Sequence, residues 1–168
     1  SAHTGSGVMP DGLTAPVSGQ QRQQHVRMNL EFALNNRVQF GARVEKVLVL
    51  SGFQGRREQG TMFYHDVLYN SHGKLWWNFR LILFQTDSYD SRIYEYERDL
   101  DGVSALPGLS GRGVRWYGVV KYQLFEHVRV SVKYSDLLRD DVKRIGSGLD
   151  ALPGNRDNRA GVQLDCQL

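Results

Sequence analysis

The sequence predicts an all-β protein: an antiparallel up-and-down β-barrel of about eight strands, or part of a larger membrane barrel. Three observations lead to this prediction. Apolar residues alternate with polar and charged residues along most of the chain, as in strands with one apolar face. No apolar run approaches the roughly 18 residues of a transmembrane helix. Short turns occur together with long, polar, glycine-containing loops, as in outer-membrane barrels.

The composition fits one folded domain and excludes two other classes of chain. Aromatic residues make up 11% of the 168 residues, which argues against disorder, and Cys166 is the single cysteine, which argues against a disulfide scaffold. The net charge of +3 is too small to indicate nucleic acid by itself. Residues 1–22 are polar and lack an apolar period, so they are predicted to be a linker or extended arm, and residues 23–168 the barrel domain.

The first half of the barrel domain contains four predicted strands. In the first, His25 to Leu34, every even position is Val, Met, Leu or Phe, and Asn35-Asn36 then predicts a tight turn. A polar loop covers 51–60 and a turn covers 71–73. The predicted strands of this half are 25–34, 38–50, 61–70 and 74–85.

The second half contains four further predicted strands and the two longest loops. The loops cover 99–112 and 135–158, and Phe125 to His127 forms a tight connection. The predicted strands are 92–98, 113–124, 128–134 and 159–168.

The lengths of the connections conflict with this count of strands. If both termini are periplasmic, the connections after odd-numbered strands face outward and should be the long ones. Asn35-Asn36 and 71–73 are short where long loops are expected, and 51–60 is longer than expected. Either the number of strands assigned near residues 86–98 is wrong, or the chain is part of a larger barrel.

Alternation alone does not show whether the apolar face of the sheet points into the protein or outward to lipid. A soluble barrel or sandwich gives the same pattern with its apolar face inward. The continuous apolar face, the charged opposite face and the aromatic residues near strand ends favour a membrane barrel.

A resemblance to a known family covers residues 86–168. It is carried by four loop and strand segments: Thr86–Glu97 (TDSYDSRIYEYE), Gly111–Tyr117 (GRGVRWY), Ile145–Asp150 (IGSGLD) and Val162–Asp165 (VQLD). They resemble the C-terminal barrel portion of outer-membrane proteins of the Bacteroidota and relatives, which often carry a helix-hairpin-helix, competence-like segment near the N-terminus. The resemblance implies that this chain is a C-terminal piece of a larger barrel. This chain lacks the helix-hairpin-helix pattern and ends in Cys166-Gln167-Leu168, whereas barrel proteins commonly end in an aromatic residue.

The polar face of the predicted strands carries the candidate solute-binding residues. An excess of positive charge inside a barrel favours anions. In a narrow barrel the same side chains would instead form a structural network of paired charges, and both interpretations stay open. The acidic residues of this face are Glu31, Glu45 and Asp165. The basic candidates are Arg27, Arg43, Arg80, Arg115, Lys121, Arg129, Lys133 and Arg159.

No pattern in the sequence selects a catalytic, metal or cofactor site. Glu95, Glu97 and Asp99 recur at two-residue spacing, which suits Ca²⁺ ligands but is commoner among solvated acids paired with Arg92, Arg98 or lipid counterions. The five histidines lack the spacing of metal ligands.

The sequence therefore predicts a non-enzymatic, porin-like barrel in the outer membrane, of pore or transport type, with a basic polar lumen. Its expected partners are outer-membrane lipid, the barrel-assembly machinery and anionic or polar solutes, and nucleic acid is not expected from this chain alone. One alternative is a plugged barrel that serves as a binding or anchoring protein through its long loops. A second is a soluble ligand-binding β-barrel.

Overall fold

The computed structural model describes residues 2–8, 14–51, 56–71, 73–145 and 152–166. These residues form an all-β structure without a helix, which confirms the predicted fold class. No helix among them is therefore long or apolar enough to cross a membrane. The strands are β1 (Ala2–Val8), β2 (Thr14–Ala33), β3 (Val38–Ser51), β4 (Arg56–Asn70), β5 (Leu75–Thr86), β6 (Ile93–Tyr94), β7 (Gly108–Leu109), β8 (Arg112–Phe125), β9 (Val128–Arg139), β10 (Arg144–Ile145), β11 (Leu152–Pro153) and β12 (Arg156–Cys166).

Eight of these strands form one antiparallel sheet in the order β1-β2-β3-β4-β5-β8-β9-β12. Its neighbours follow one another along the chain, apart from the two short pairs β6–β7 and β10–β11, so the connectivity is up-and-down. Phe79 of β5 shows the register, since it lies opposite Val67 on one side and Gly118 on the other. Among the described residues no ladder joins β1 to β12, so the sheet is open between those strands.

The segment 1–22, predicted to be a linker or extended arm, contains paired strands. Ala2–Val8 pairs with Thr14–Gln20, and β2 continues through residue 22. Backbone hydrogen bonds hold such strands together whatever their side chains are, so a polar segment without an apolar period can form them.

One face of the sheet exposes apolar side chains, and we call it the apolar face. Exposure alternates along β4 and β5, where every second side chain is buried. The exposed members are Val26, Met28, Leu30, Phe32, Val44, Leu48, Leu50, Phe63, Phe79, Leu81, Leu83, Val120, Tyr122, Val132, Tyr134, Leu138, Val162 and Leu164. The opposite side, the covered face, carries the buried side chains.

Residues 87–111 lie on the covered face, and we call this segment the strap. At one end of the sheet its Ile93 and Leu109 pack on an apolar cluster from β3, β4 and β5 that includes Val47, Met62 and Ile82. Backbone bonds fasten the segment at both ends: Thr86 N–H donates to Gly111 O at 2.7 Å, and Asp87 N–H donates to Gln59 O at 2.9 Å. The strap therefore begins and ends beside the strands that it covers.

Residues 92–98 were predicted to form a strand of the barrel sheet, and this prediction is wrong. Only Ile93–Tyr94 forms a ladder, and its partner is Gly108–Leu109 of the same strap. The segment is extended, and it buries alternate residues against the covered face, which gives the same period of two as a sheet strand.

The corrected strand count removes the conflict between loop lengths and orientation. The connections 34–37, 71–74 and 126–127 all lie at one end of the sheet, which we call the turn end. The strap leaves β5 and enters β8 at the opposite end of the sheet, which we call the loop end, where β9 also ends and β12 begins. The loops predicted at 51–60 and 135–158 are shorter than expected, because β4 begins at Arg56, β9 ends at Arg139 and β12 begins at Arg156. Residues 167–168, predicted in the last strand, lie outside the described residues.

Candidate functional site

A row of four carboxylates on the strap faces the basic side chains of the covered face. Glu95, Glu97, Asp99 and Asp101 stand at two-residue spacing, which places them on one side of an extended segment. Their partners come from β3, β5, β8 and β9, so the strap ties together strands that are distant in the chain.

Glu95 joins the strap to β3 and β5. Its carboxylate accepts a hydrogen bond from Arg43 Nη1 at 2.6 Å and one from Arg80 Nη1 at 2.8 Å. Arg80 also donates through Nη2 to Asp66 at 2.6 Å, and its guanidinium lies 3.9 Å from the centre of the Tyr64 ring. Burial raises the pKa of Glu95, although Arg43 and Arg80 act in the opposite direction. Glu95 therefore belongs to a tightly packed network of charges.

Asp66 reaches Arg80 because β3 carries a glycine at position 41. A Cβ atom at Gly41 would lie 2.1 Å from Asp66 Oδ1, which is closer than any real contact. Any other residue there would push the carboxylate away from Arg80, so Gly41 is part of this network.

Glu97 joins the strap to β8 and β9. It accepts hydrogen bonds from both Arg115 Nε and Arg115 Nη2, the latter at 3.0 Å, in the bidentate arrangement typical of strong Arg–carboxylate pairs. Lys133 Nζ lies 3.3 Å from the same carboxylate and 2.5 Å from Asp99 Oδ2. The Glu97 side chain is fully buried, so its charge depends on these cations for compensation.

Asp101 completes the row at the turn end. It accepts hydrogen bonds from Lys121 Nζ and, at 3.2 Å, from Arg129 Nη1. The hydrogen bond from Lys121 is the largest of the effects that hold the pKa of Asp101 below its usual value. Exposure of the carboxylate side chains is 2% at Glu95, 0% at Glu97, 9% at Asp99 and 43% at Asp101. Asp101 is thus the most exposed to water of the four strap carboxylates.

All eight basic residues singled out from the sequence have a carboxylate partner. The two that do not contact the strap are Arg27, which pairs with Glu45 at 2.7 Å, and Arg159, which pairs with Asp157 at 2.9 Å in an exposed position. The six that contact strap carboxylates are Arg43, Arg80, Arg115, Lys121, Arg129 and Lys133.

The three acidic residues expected on this face have separate environments. Glu45 is buried and also contacts His25 Nδ1 at 3.1 Å. Glu31 is exposed, and Asp165 Oδ1 accepts a hydrogen bond from Gln163 at 2.7 Å.

The expected role of the strap acids needs correction. Glu95, Glu97 and Asp99 were predicted as solvated acids beside Arg92 and Arg98, but Glu95 and Glu97 are buried, Asp99 is half-buried, and all three pair with cations of the sheet instead. The signal for this pairing lies in the alternation of residues 92–98, whose buried positions 95 and 97 are acidic. Tyr117 was also missed: its hydroxyl accepts a hydrogen bond from Arg98 N–H at 3.2 Å, which fixes the strap to β8.

An open cleft of about 300 Å³ lies beside the strap toward the turn end. Its lining combines Asn29, Glu31, Asp66, Arg80 and Arg98 with backbone and apolar groups of β2 and β3. Among the described residues no group of three or more His, Cys, Asp or Glu could hold a metal ion.

The fold and this site define an all-β sheet whose basic face is neutralised by an acidic strap of the same chain. Comparisons with protein-family models, with curated proteins and with solved structures found no match.

Proposed function

We propose that this chain forms the wall of a non-enzymatic outer-membrane β-barrel whose basic interior is closed by its own strap. It then acts as a binding or anchoring barrel through its loops. The observation that carries this proposal is the ion pairing of six interior cations with the four strap carboxylates. A solute would have to displace these carboxylates to reach the basic face.

The apolar face supports the membrane part of the proposal. Exposed apolar side chains extend over β2, β3, β4, β5, β8, β9 and β12, all on one side of the sheet. Exposed apolar surface of this extent marks a contact with protein or membrane. In a bilayer it contacts lipid, while the charged face stays inside the barrel.

The free strand edges place a condition on this proposal. Unpaired backbone groups are too costly in hydrocarbon for an open edge to face lipid. In the membrane, the edges of β1 and β12 therefore pair with each other or with further strands, and the barrel-assembly machinery is the expected partner for that closure. The resemblance to larger Bacteroidota barrels agrees with pairing to further strands.

A pore or transport function for anionic or polar solutes is the second candidate. The observation that favours it is the exposure of Asp101, because an exposed ion pair contributes little stability and can open. Release of this end would uncover Lys121 and Arg129 on the interior face.

Current through planar bilayers separates the two candidates. We expect the unmodified protein to leave the bilayer non-conducting, because the strap lies across the covered face and pairs with its cations. Replacing both Asp99→Asn and Asp101→Asn removes the carboxylates at the more open end and should produce an anion-selective current if the second candidate holds. The matched control is Asp140→Asn, which changes an exposed acid at the loop end. Steady current through the unmodified protein would contradict the plugged barrel.

A further inference from the structure

The turn end of the strap places one carboxylate among several cations. Asp101 lies between Lys121 of β8 and Arg129 of β9. Lys121 Nζ also lies 5.3 Å from the centre of the Trp76 ring. Lys74, in the neighbouring turn, is exposed and has no carboxylate partner among the described residues. Asp101 therefore pairs with two cations, and Lys74 is a third cation nearby without an ion pair among the described residues.

Open cavities adjoin Asp101 and its cations. One of them, of about 510 Å³, is lined by Asp101, Arg129 and Asp165 among others. Of two further cavities, the first, of about 290 Å³, lies beside the cations and is lined by Lys74, Trp76, Lys121, Gln123 and Arg129. The second, of about 270 Å³, lies along the strap and shares Trp76 and Lys121 with the first. Asp101 lines the second cavity, and Lys121 belongs to both. A group that replaced the Asp101 carboxylate would therefore have room on either side.

We propose that this place is a binding site for multivalent anions that carry phosphate or carboxylate groups. The anion contacts Lys121, Arg129 and Lys74 and takes the place of the Asp101 carboxylate. The inference rests on the proposed function and deepens it, because it names the class of solute or partner group that the strap excludes from the interior.

The difference in burial along the strap explains why Asp101 can be displaced. Glu95 and Glu97 are buried, and each bridges two cations, so they hold the strap in place when its other end moves. Asp101 is exposed, and exposed ion pairs contribute little stability because water screens them. An anion with two or more charges can engage several cations at once, which a single carboxylate cannot do.

Two features of the site lower its affinity. Asp101 is tethered beside its cations, so it competes at a high effective concentration. Asp165 lies opposite Arg129 in the β12–β9 ladder and adds a second carboxylate. Asp101 competes directly for Lys121 and Arg129, so its removal is the most informative change.

Isothermal titration of the detergent-folded protein with inorganic pyrophosphate tests the site. We expect saturable binding, about tenfold tighter in Asp101→Asn because the competing charge is gone, which corresponds to about 1.4 kcal/mol. Lys121→Gln and Arg129→Gln should each weaken binding by about tenfold or more. The matched control is Arg112→Gln, which removes an exposed cation at the loop end and should leave the affinity unchanged. A parallel titration with citrate distinguishes carboxylate from phosphate as the preferred group.

Two results would overturn this inference. One is the absence of saturable binding of either anion to both the parent and Asp101→Asn. The other is equal affinity in Asp101→Asn, Lys121→Gln, Arg129→Gln and Arg112→Gln, which would show that binding does not use this place. If the protein folds in plain buffer, the membrane proposal fails, but the same titration in buffer still tests the site.

Discussion

Replacing Glu97→Gln is expected to destabilise the folded protein by about 3–5 kcal/mol. Glu97 is fully buried, and it is the carboxylate shared by Arg115 and Lys133. A glutamine keeps the shape but leaves the largely buried Arg115 without a carboxylate partner and Lys133 with Asp99 alone. The free energy of unfolding, measured by urea titration of the detergent-folded protein, gives the effect.

The control for this prediction is Asp90→Asn on the same strap. Asp90 is exposed and has no ion pair among the described residues, so its substitution should change the stability by less than about 0.5 kcal/mol. Equal stability of Glu97→Gln and Asp90→Asn would show that the strap carboxylates do not hold the basic face together.

Replacing Phe79→Arg is expected to reduce the stability of the membrane-folded protein by about 2–4 kcal/mol. Phe79 lies in the middle of β5 on the apolar face, where it contacts Trp116. A charge at that depth would face hydrocarbon if this face meets lipid. The measurement is the urea dependence of the folded fraction in lipid vesicles.

Gln85→Arg is the matched control, because residue 85 lies on the same face of the same strand but at its loop end. A barrel residue near the membrane interface tolerates Arg at a cost of only about 0–1 kcal/mol. If Phe79→Arg and Gln85→Arg have the same small effect, the apolar face does not contact lipid.

The strands of the sheet and their two faces could be predicted from the sequence because a period of two is a local property. Val38 to Leu50 and Leu75 to Gln85 alternate clearly, and both form strands with those faces. The ends of β4, β9 and β12 extend into polar segments, where backbone pairing continues without an apolar pattern.

The strap could not be predicted because alternation does not distinguish a strand in a sheet from an extended segment lying on one. Ile93, Glu95 and Glu97 are buried at alternate positions, as strand residues would be, but they face the sheet instead of forming part of it. The feature of the sequence that indicates the strap is the acidic residues at its alternate, buried positions, which match the basic residues of the sheet.

The basic candidates were located by their face, but their partners depend on contacts between distant parts of the chain. Arg43 and Glu95, for example, are 52 positions apart and meet only because the strap folds back over β3. Spacing along a sequence does not reveal such contacts. The sequence alone therefore does not decide between an anion pathway and a structural network of paired charges.

The most direct test of the membrane assignment is a paired gel and circular-dichroism measurement with and without detergent micelles. The assignment predicts heat-modifiable migration and a β-sheet signal only when micelles are present, because the apolar face needs a lipid-like surface. A monomeric, cooperatively folded protein in plain buffer would contradict it and would show that the exposed apolar face does not need lipid.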